Sequence, residues 1–264
     1  MEIFRFKNTY FPKATKINKV NIINFMSQDS FYSAMLEKLD FDEKISVKMT
    51  PGYFSYVNPA VYLRLRKDPG LIRNIDKFFL DGILLTVIFK ILGYKATRNS
   101  PDMVGYFLGL FNKAEKNNQK VFFIGSDSLS VIKAVEVIKH SFPNLNVVGY
   151  RDGFFMTDTE KNDTCNLLKK ENVEVTIIGM GTPNQERFLN ILKNSGYQGQ
   201  AFTCGGFIHQ TAKGIKYYPK WINELNLRWL YRFFDERRVF LRTLKTYPIF
   251  LLVFIYDVII YKLN

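Results

Sequence analysis

The stretch Glu174–Glu186 reads EVTIIGMGTPNQE, and few folds accommodate it. Val175, Ile177 and Ile178 are branched and apolar, as in a strand buried inside a sheet. Gly179 and Gly181 let the backbone turn sharply and approach a ligand closely. Pro183 fixes the exit, Gln185 and Glu186 bring polar groups, and Arg187–Lys193 has the pattern of a following helix. A strand, a Gly-rich turn and a helix N-terminus make a place where backbone N–H groups can face a phosphate. An ordinary βα connection also carries two such glycines; the added P-x-Q-E makes this one more specific.

The same alternation runs along the chain. Lys19–Phe25, Ile45–Val57, Lys77–Leu80, Lys120–Ile124, Asn146–Val148 and Ala201–Thr203 read as strands. Asp29–Leu39, Tyr62–Arg73, Ile83–Leu92, Met103–Asn117, Leu129–His140 and Thr159–Glu171 read as helices. Glycines follow several strands, as in Asp81-Gly82, Gly125-Ser126 and Cys204-Gly205-Gly206-Phe207. This pattern predicts an α/β fold with a Rossmann-like, doubly wound, mostly parallel sheet. Asp81 closes the Lys77–Leu80 strand, so its carboxylate points into the crevice where such sheets bind ligands. Capping of the Ile83–Leu92 helix is the alternative role for it. Arg98 and Asp102 flank a Ser100-Pro101 turn in the next loop. Asp40-Phe41-Asp42 is a lone D-x-D that follows a helix rather than an apolar strand, and reads as a surface turn.

At 264 residues the chain has ample material for a core. Its net charge of +13 suits an anionic partner: nucleic acid, an acidic membrane surface or a phosphorylated substrate. A solvated lysine-rich surface accounts for the charge equally well. Cys165 and Cys204 have no metal spacing and read as reduced thiols. His140 and His209 form no metal motif, and no P-loop, Ser-His-Asp set or repeat is present. The first 20 residues hold no long apolar run, so no signal peptide is expected.

The composition changes after Lys216, which predicts a Rossmann-like α/β domain over 1–216 and a C-terminal helical appendage over 217–264. Projected as a helix, Trp229, Leu230, Phe233, Phe240, Leu241 and Leu244 share one face. Arg228, Arg232, Arg238, Arg242 and Lys245 share the other, and Arg237 breaks the pattern. Pro248–Tyr261 is strongly apolar with one charge, Asp257, and is shorter than the ~20 residues a membrane span needs. A basic amphipathic helix followed by a short apolar segment reads as lying on an anionic membrane. Packing on the protein's own core or on another subunit is the alternative, so the tail also offers a route to a homo-oligomer. No nucleic-acid module accompanies the basic helix, so a nucleic-acid partner is not expected.

These motifs, in this order, resemble the WecG/TagA/CpsF family of bacterial glycosyltransferases (glycosyltransferase family 26). The likeness runs from about Val47 to about Arg242 and rests on Asn58-Pro59, Asp81-Gly82, Arg98, Asp102, Gly149–Phe155, Gly179–Glu186, Gly205-Gly206-Phe207, Pro219–Trp221 and Trp229-Leu230-Tyr231-Arg232. Where relatives often carry Thr two residues before the Asn, this chain has Tyr56. The usual Thr-Asp of the loop is Pro101-Asp102, the Glu before Trp in the appendage is Arg228, and the Glu-Pro that follows is Glu236-Arg237. An appendage arginine of the family is Val239 here, with Arg237 and Arg238 as candidate substitutes.

The resemblance implies an inverting transfer of an N-acetylmannosamine-type sugar from a UDP donor to a polyprenyl-diphosphate-linked acceptor. It implies no metal and no cofactor, a peripheral site on the cytoplasmic face of the membrane, and an appendage that helps close the active site. Carried onto this chain, it makes Asp81 the general base. Asn58, Gly82, Arg98, Asp102, Gly179, Gly181, Pro183, Gln185 and Glu186 become substrate-binding candidates. Arg232 and Arg242 become the cations that meet the UDP diphosphate. From motif physics alone, a nucleotide-binding oxidoreductase is the competing expectation. Against it, no G-x-G-x-x-G is completed, and Gly199–Gly205 stands where a ribose-binding acid is needed. A non-catalytic membrane scaffold is the third.

Overall fold

A computed structural model describes residues 30–41, 51–103, 105–214, 222 and 237–263. The expected Lys19–Phe25 strand, Asp42 of the D-x-D and most of the 217–236 segment lie outside the described residues.

Among the described residues, seven strands form one parallel sheet in the order β1-β3-β2-β7-β6-β4-β5. They are β1 (Leu39–Asp40), β2 (Gly52–Val57), β3 (Lys77–Leu80), β4 (Val121–Gly125), β5 (Val147–Arg151), β6 (Val175–Gly179) and β7 (Gln200–Thr203). The α/β sheet expected from the sequence is present. β2, β4, β6 and β7 are buried along their whole length, which is why they read as apolar runs rather than as alternating strands. Successive side chains serve opposite faces. Tyr53 and Val57 join a core with α1 (Ser30–Lys38), α2 (Pro59–Arg66), α3 (Ile83–Ile91), α6 (Asp158–Lys170) and α7 (Asn184–Asn194). Phe54 and Tyr56 join a second core with α4 (Tyr106–Lys116), α5 (Ser128–Ser141) and α8 (Phe207–Thr211).

Several boundaries differ from the sequence expectation for local reasons. Asn58-Pro59 starts a helix rather than only ending a strand. Asn58 Oδ1 accepts the N–H groups of Ala60 (3.1 Å) and Val61 (3.0 Å). Pro59 sits at the first helical position, where its missing N–H costs nothing. Pro69 ends that helix, and a short 3-10 turn, Pro69–Ile72, replaces the expected continuation to Arg73. Asp40 lies in edge strand β1, not a turn, and pairs with Lys77 at 2.8 Å.

The tail differs most. Arg237–Leu263 is one continuous helix, α9, that runs through Pro248. Its segment Thr243–Leu263 is, by length and composition, long and apolar enough to cross a membrane, unlike the shorter Pro248–Tyr261 segment expected from the sequence. One face is docked: Phe250, Val253, Phe254 and Asp257 are buried, with ring contacts from Tyr62 to Phe250 and Phe254 and from Phe89 to Phe254. The spacing i, i+3, i+4, i+7 is that of a helix packing one stripe on a core. The other face leaves Leu252, Ile255 and Ile259 exposed.

Candidate active site

All the described strands run parallel, so their carboxyl ends share one edge, and the described sequence candidates come from the ends of β3, β2 and β6, from the loop that follows α3, and from α9. Such an edge is where open α/β sheets bind ligands.

Asp81 follows β3. Its N–H donates to Val57 O (2.9 Å), which fixes the backbone against β2. Its half-buried carboxylate is held at both oxygens. Ser100 Oγ donates to Oδ1 (2.9 Å) and Asn58 Nδ2 donates to Oδ2 (3.3 Å). Arg98 Nε donates to the same Ser100 Oγ (2.9 Å). The loop stays in place because Asn99 N–H donates to Leu80 O (2.8 Å) and Asp102 Oδ1 accepts Gly105 N–H (2.7 Å). Gly82, with φ +86°, turns the chain from the carboxylate into α3. Asn58, Asp81, Gly82, Arg98 and Asp102 are thus assembled on two strand ends and one loop. Asn58 does two jobs at once, as helix cap and as carboxylate partner.

Ser100 is the member that the sequence reading passes over, naming it only as part of a turn. Tyr56, the departure from the family pattern, lies beneath this corner. Its ring meets Phe79 and Phe107, and its buried hydroxyl has no hydrogen-bond partner among the described residues. Burial, with the charges of Asp102 and Asp81 adding to it, pushes that hydroxyl well above the usual tyrosine range.

The Gly179–Glu186 turn stands across from it. Gly125 and Gly179 are register partners at the ends of β4 and β6. A Cβ on Gly179 would meet Cys204 Sγ at 2.8 Å, so this glycine lets the end of β6 pack closely against the turn after β7. Gly181 has φ +71°, the Thr182–Pro183 peptide is cis, and α7 begins with no side chain capping it. Arg64 of α2 donates to Thr182 O (2.8 Å) and ties the turn to the Asn58 helix.

Gln185 and Glu186 face inward. Gln185 Oε1 accepts Gly205 N–H (3.1 Å), joining this turn to the one after β7. Glu186 is 0 % exposed, and its Oε1 accepts from Gln185 Nε2 (2.8 Å), Ser55 Oγ (3.1 Å) and Thr182 Oγ1 (3.2 Å). Both side chains therefore shape the turn rather than line open crevice. Arg232 lies outside the described residues, and Arg242 falls on α9 with its side chain outside them.

Burial raises the Glu186 carboxyl above its usual range, and the hydrogen bonds from Gln185, Ser55 and Thr182 offset part of that. The folded state therefore holds this proton more tightly than the unfolded chain. The group's contribution to stability is intact below its ordinary pKa and is lost as pH rises through the raised one. Glu186→Gln removes this dependence. Urea midpoints of the two chains, compared from about pH 5 upward, should diverge in favour of the Gln variant as pH rises. Parallel curves would mean that Glu186 is ionised at no cost in the fold.

The model of the glycosyl transferase WecG/TagA/CpsF family matches residues 23–263. A UDP-Gal:alpha-D-GlcNAc-diphosphoundecaprenol beta-1,4-galactosyltransferase of Shigella boydii is 32% identical over 209 residues, 79% of this chain and 87% of the relative. An N-acetylglucosaminyldiphosphoundecaprenol N-acetyl-beta-D-mannosaminyltransferase of Bacillus spizizenii is 25% identical over 180 residues, 66% of this chain and 68% of its own. One of the same description from Bacillus subtilis is 25% identical over 202 residues, 75% of each chain.

Proposed function

Because the chain belongs to the glycosyl transferase WecG/TagA/CpsF family, we propose that it transfers a hexose from a UDP donor to a polyprenyl-diphosphate-linked N-acetylglucosamine at the carboxyl edge of its sheet. The observation that carries this is the Asp81 carboxylate, half-buried and oriented by Ser100 and Asn58. Each carboxylate oxygen has accepted one of these bonds and keeps acceptor capacity for an incoming hydroxyl.

Asp81 takes the proton of the acceptor hydroxyl as its oxygen bonds to the anomeric carbon. On the opposite side the bond to UDP breaks, and its electron pair leaves on the β-phosphate. One such displacement inverts the anomeric centre. The Gly179–Pro183 turn and the uncapped N-terminus of α7 suit the departing diphosphate, because backbone N–H groups and the helix dipole favour negative charge there. Arg98, Arg232 and Arg242 are the cations assigned to it, since guanidinium meets phosphate in a bidentate fork. Asn58 and Asp102 border the sugar, Gly82 leaves it room, and Gln185 and Glu186 hold the turn in shape.

Of the donors named for the relatives, galactose is favoured over N-acetylmannosamine, the sugar expected from the family resemblance. The galactosyltransferase is more similar to this chain and matches more of it. The exposed apolar face of α9 and the +13 net charge support a peripheral place on an anionic membrane, at the cytoplasmic face where UDP-sugars are found. A spanning role for α9 fits poorly, because its other face is packed on α1 and α2. The products belong to surface polysaccharide synthesis. Offered UDP-galactose, UDP-N-acetylmannosamine, UDP-N-acetylglucosamine and UDP-glucose with a lipid-diphosphate-linked N-acetylglucosamine, the protein should release UDP fastest from UDP-galactose. Release from none of them would overturn the reading.

A further inference from the structure

Helix α2 touches three parts of the molecule. At its N-terminus Asn58 donates to Asp81 (3.3 Å). Tyr62, four residues on, donates its hydroxyl to Asp257 Oδ2 (2.6 Å). Arg66, four further on, meets the same carboxylate in a fork: Nε to Oδ2 at 2.8 Å and Nη2 to Oδ1 at 2.7 Å. Residues four apart stand on one helix face, so Asn58, Tyr62 and Arg66 make a single stripe. Its first member reaches the candidate base, and its last two hold the C-terminal helix. Arg64, on another side, bonds the Thr182 carbonyl.

The ion pair is sealed, with side-chain exposures of 0% for Arg66 and 2% for Asp257. Burying two charges is costly, and apolar residues of similar size serve adhesion as well or better. Adhesion is in any case supplied nearby, where Phe250, Val253 and Phe254 pack among Tyr32, Tyr62 and Phe89. A bidentate fork adds direction: it fixes where α9 sits along α2.

We propose that Tyr62 and Arg66 are positioning residues that, by gripping Asp257, make the Asn58–Asp81 hydrogen bond depend on the seating of the apolar C-terminal helix. The inference rests on Asp81 serving as the base described above. It ties the docked, apolar half of the C-terminal helix to the proton-accepting carboxylate, apart from the diphosphate contact assigned to Arg242 nearer the start of that helix.

The test uses the full-length chain on vesicles carrying a lipid-diphosphate-linked N-acetylglucosamine, with UDP release as the rate and thermal melts to establish folding. Asp257→Asn should lower kcat about tenfold, equivalent to about 1.4 kcal/mol, with the donor KM changed less than about twofold. Tyr62→Phe should act in the same direction, about threefold. In both, amide exchange at Ala60 and Val61, the N–H groups capped by Asn58, should quicken. Asn58→Ala combined with Asp257→Asn should be scarcely slower than Asn58→Ala alone, because both break one line of contacts. Multiplying losses, or a folded Asp257→Asn chain with wild-type kcat and unchanged exchange, would overturn the coupling. Asp81→Asn, run alongside, separates the two ideas. Wild-type turnover in that variant removes the base and the inference together; its loss beside fully active Tyr62 and Asp257 variants removes the inference alone. If Asp257→Asn fails to fold, Tyr62→Phe, which deletes one hydroxyl and no charge, decides the matter by rate and exchange.

Discussion

Asp81→Asn should turn over the donor at least about a hundredfold more slowly than the wild type while binding UDP with nearly unchanged affinity. The substitution keeps the shape of the group. It also leaves an oxygen for Ser100 or Asn58, both of which donate to the carboxylate in the native chain. What it removes is the capacity to take a proton. An effect confined to kcat identifies an interaction made in the transition state rather than in the ground state. Steady-state rates with the preferred donor, together with calorimetric titration of UDP, check both halves. Near-normal turnover would take Asp81 out of the chemistry. A parallel loss of UDP affinity would make it a binding group instead.

Gly125→Ala should be a severely damaging substitution at this edge of the sheet. Gly125 has φ +149°, a backbone conformation that side chains rarely adopt, and an added Cβ would lie 2.4 Å from Gly179 O and 2.6 Å from its carbonyl carbon. Neither atom can swing aside, because Gly179 O already accepts Ser126 N–H (3.0 Å) and the two strands are in register here. Separating β4 from β6 would displace the Gly179–Pro183 turn. The expected cost is about 3 kcal/mol or more. At ~2–4 °C per kcal/mol for a chain of this size, that lowers the Tm by about 6–12 °C. Gly196→Ala is the control: φ is +79° but nothing lies within 4 Å of the added carbon, so only the conformational cost of ~1–2 kcal/mol applies. Equal losses at the two positions would mean that the β4–β6 contact has room to give.

The fold was legible because its determinants are local. Buried parallel strands are apolar along their length, and their ends are marked by glycine or aspartate, as at Leu80-Asp81 and Ile178-Gly179. Asp81, Asn58 and Arg98 could be singled out for the same reason, each lying next to a strand end or in the loop that returns to one. Direction was not legible. Gln185 and Glu186 follow a glycine turn as ligand-facing residues would, yet both are buried, because α7 turns its first residues under Gly205 and Ser55. Pro248 has the look of a helix break, but a proline removes only one backbone bond and adds local strain, which the packing of Phe250 and Phe254 outweighs. Asp257 looked like a lone charge on an apolar segment. Its partner Arg66 is 191 positions away, and no local pattern announces such a pair.

The most direct measurement of the central claim is the anomeric configuration of the product. Wild-type protein, given its preferred UDP-hexose and a lipid-diphosphate-linked N-acetylglucosamine, should yield a disaccharide whose new linkage is opposite in configuration to the donor's, as read from the anomeric proton coupling in NMR. A single displacement with one carboxylate accepting the proton gives that result. A product that keeps the donor's configuration would require two displacements or attack from the face the diphosphate leaves, and would contradict the role assigned to Asp81.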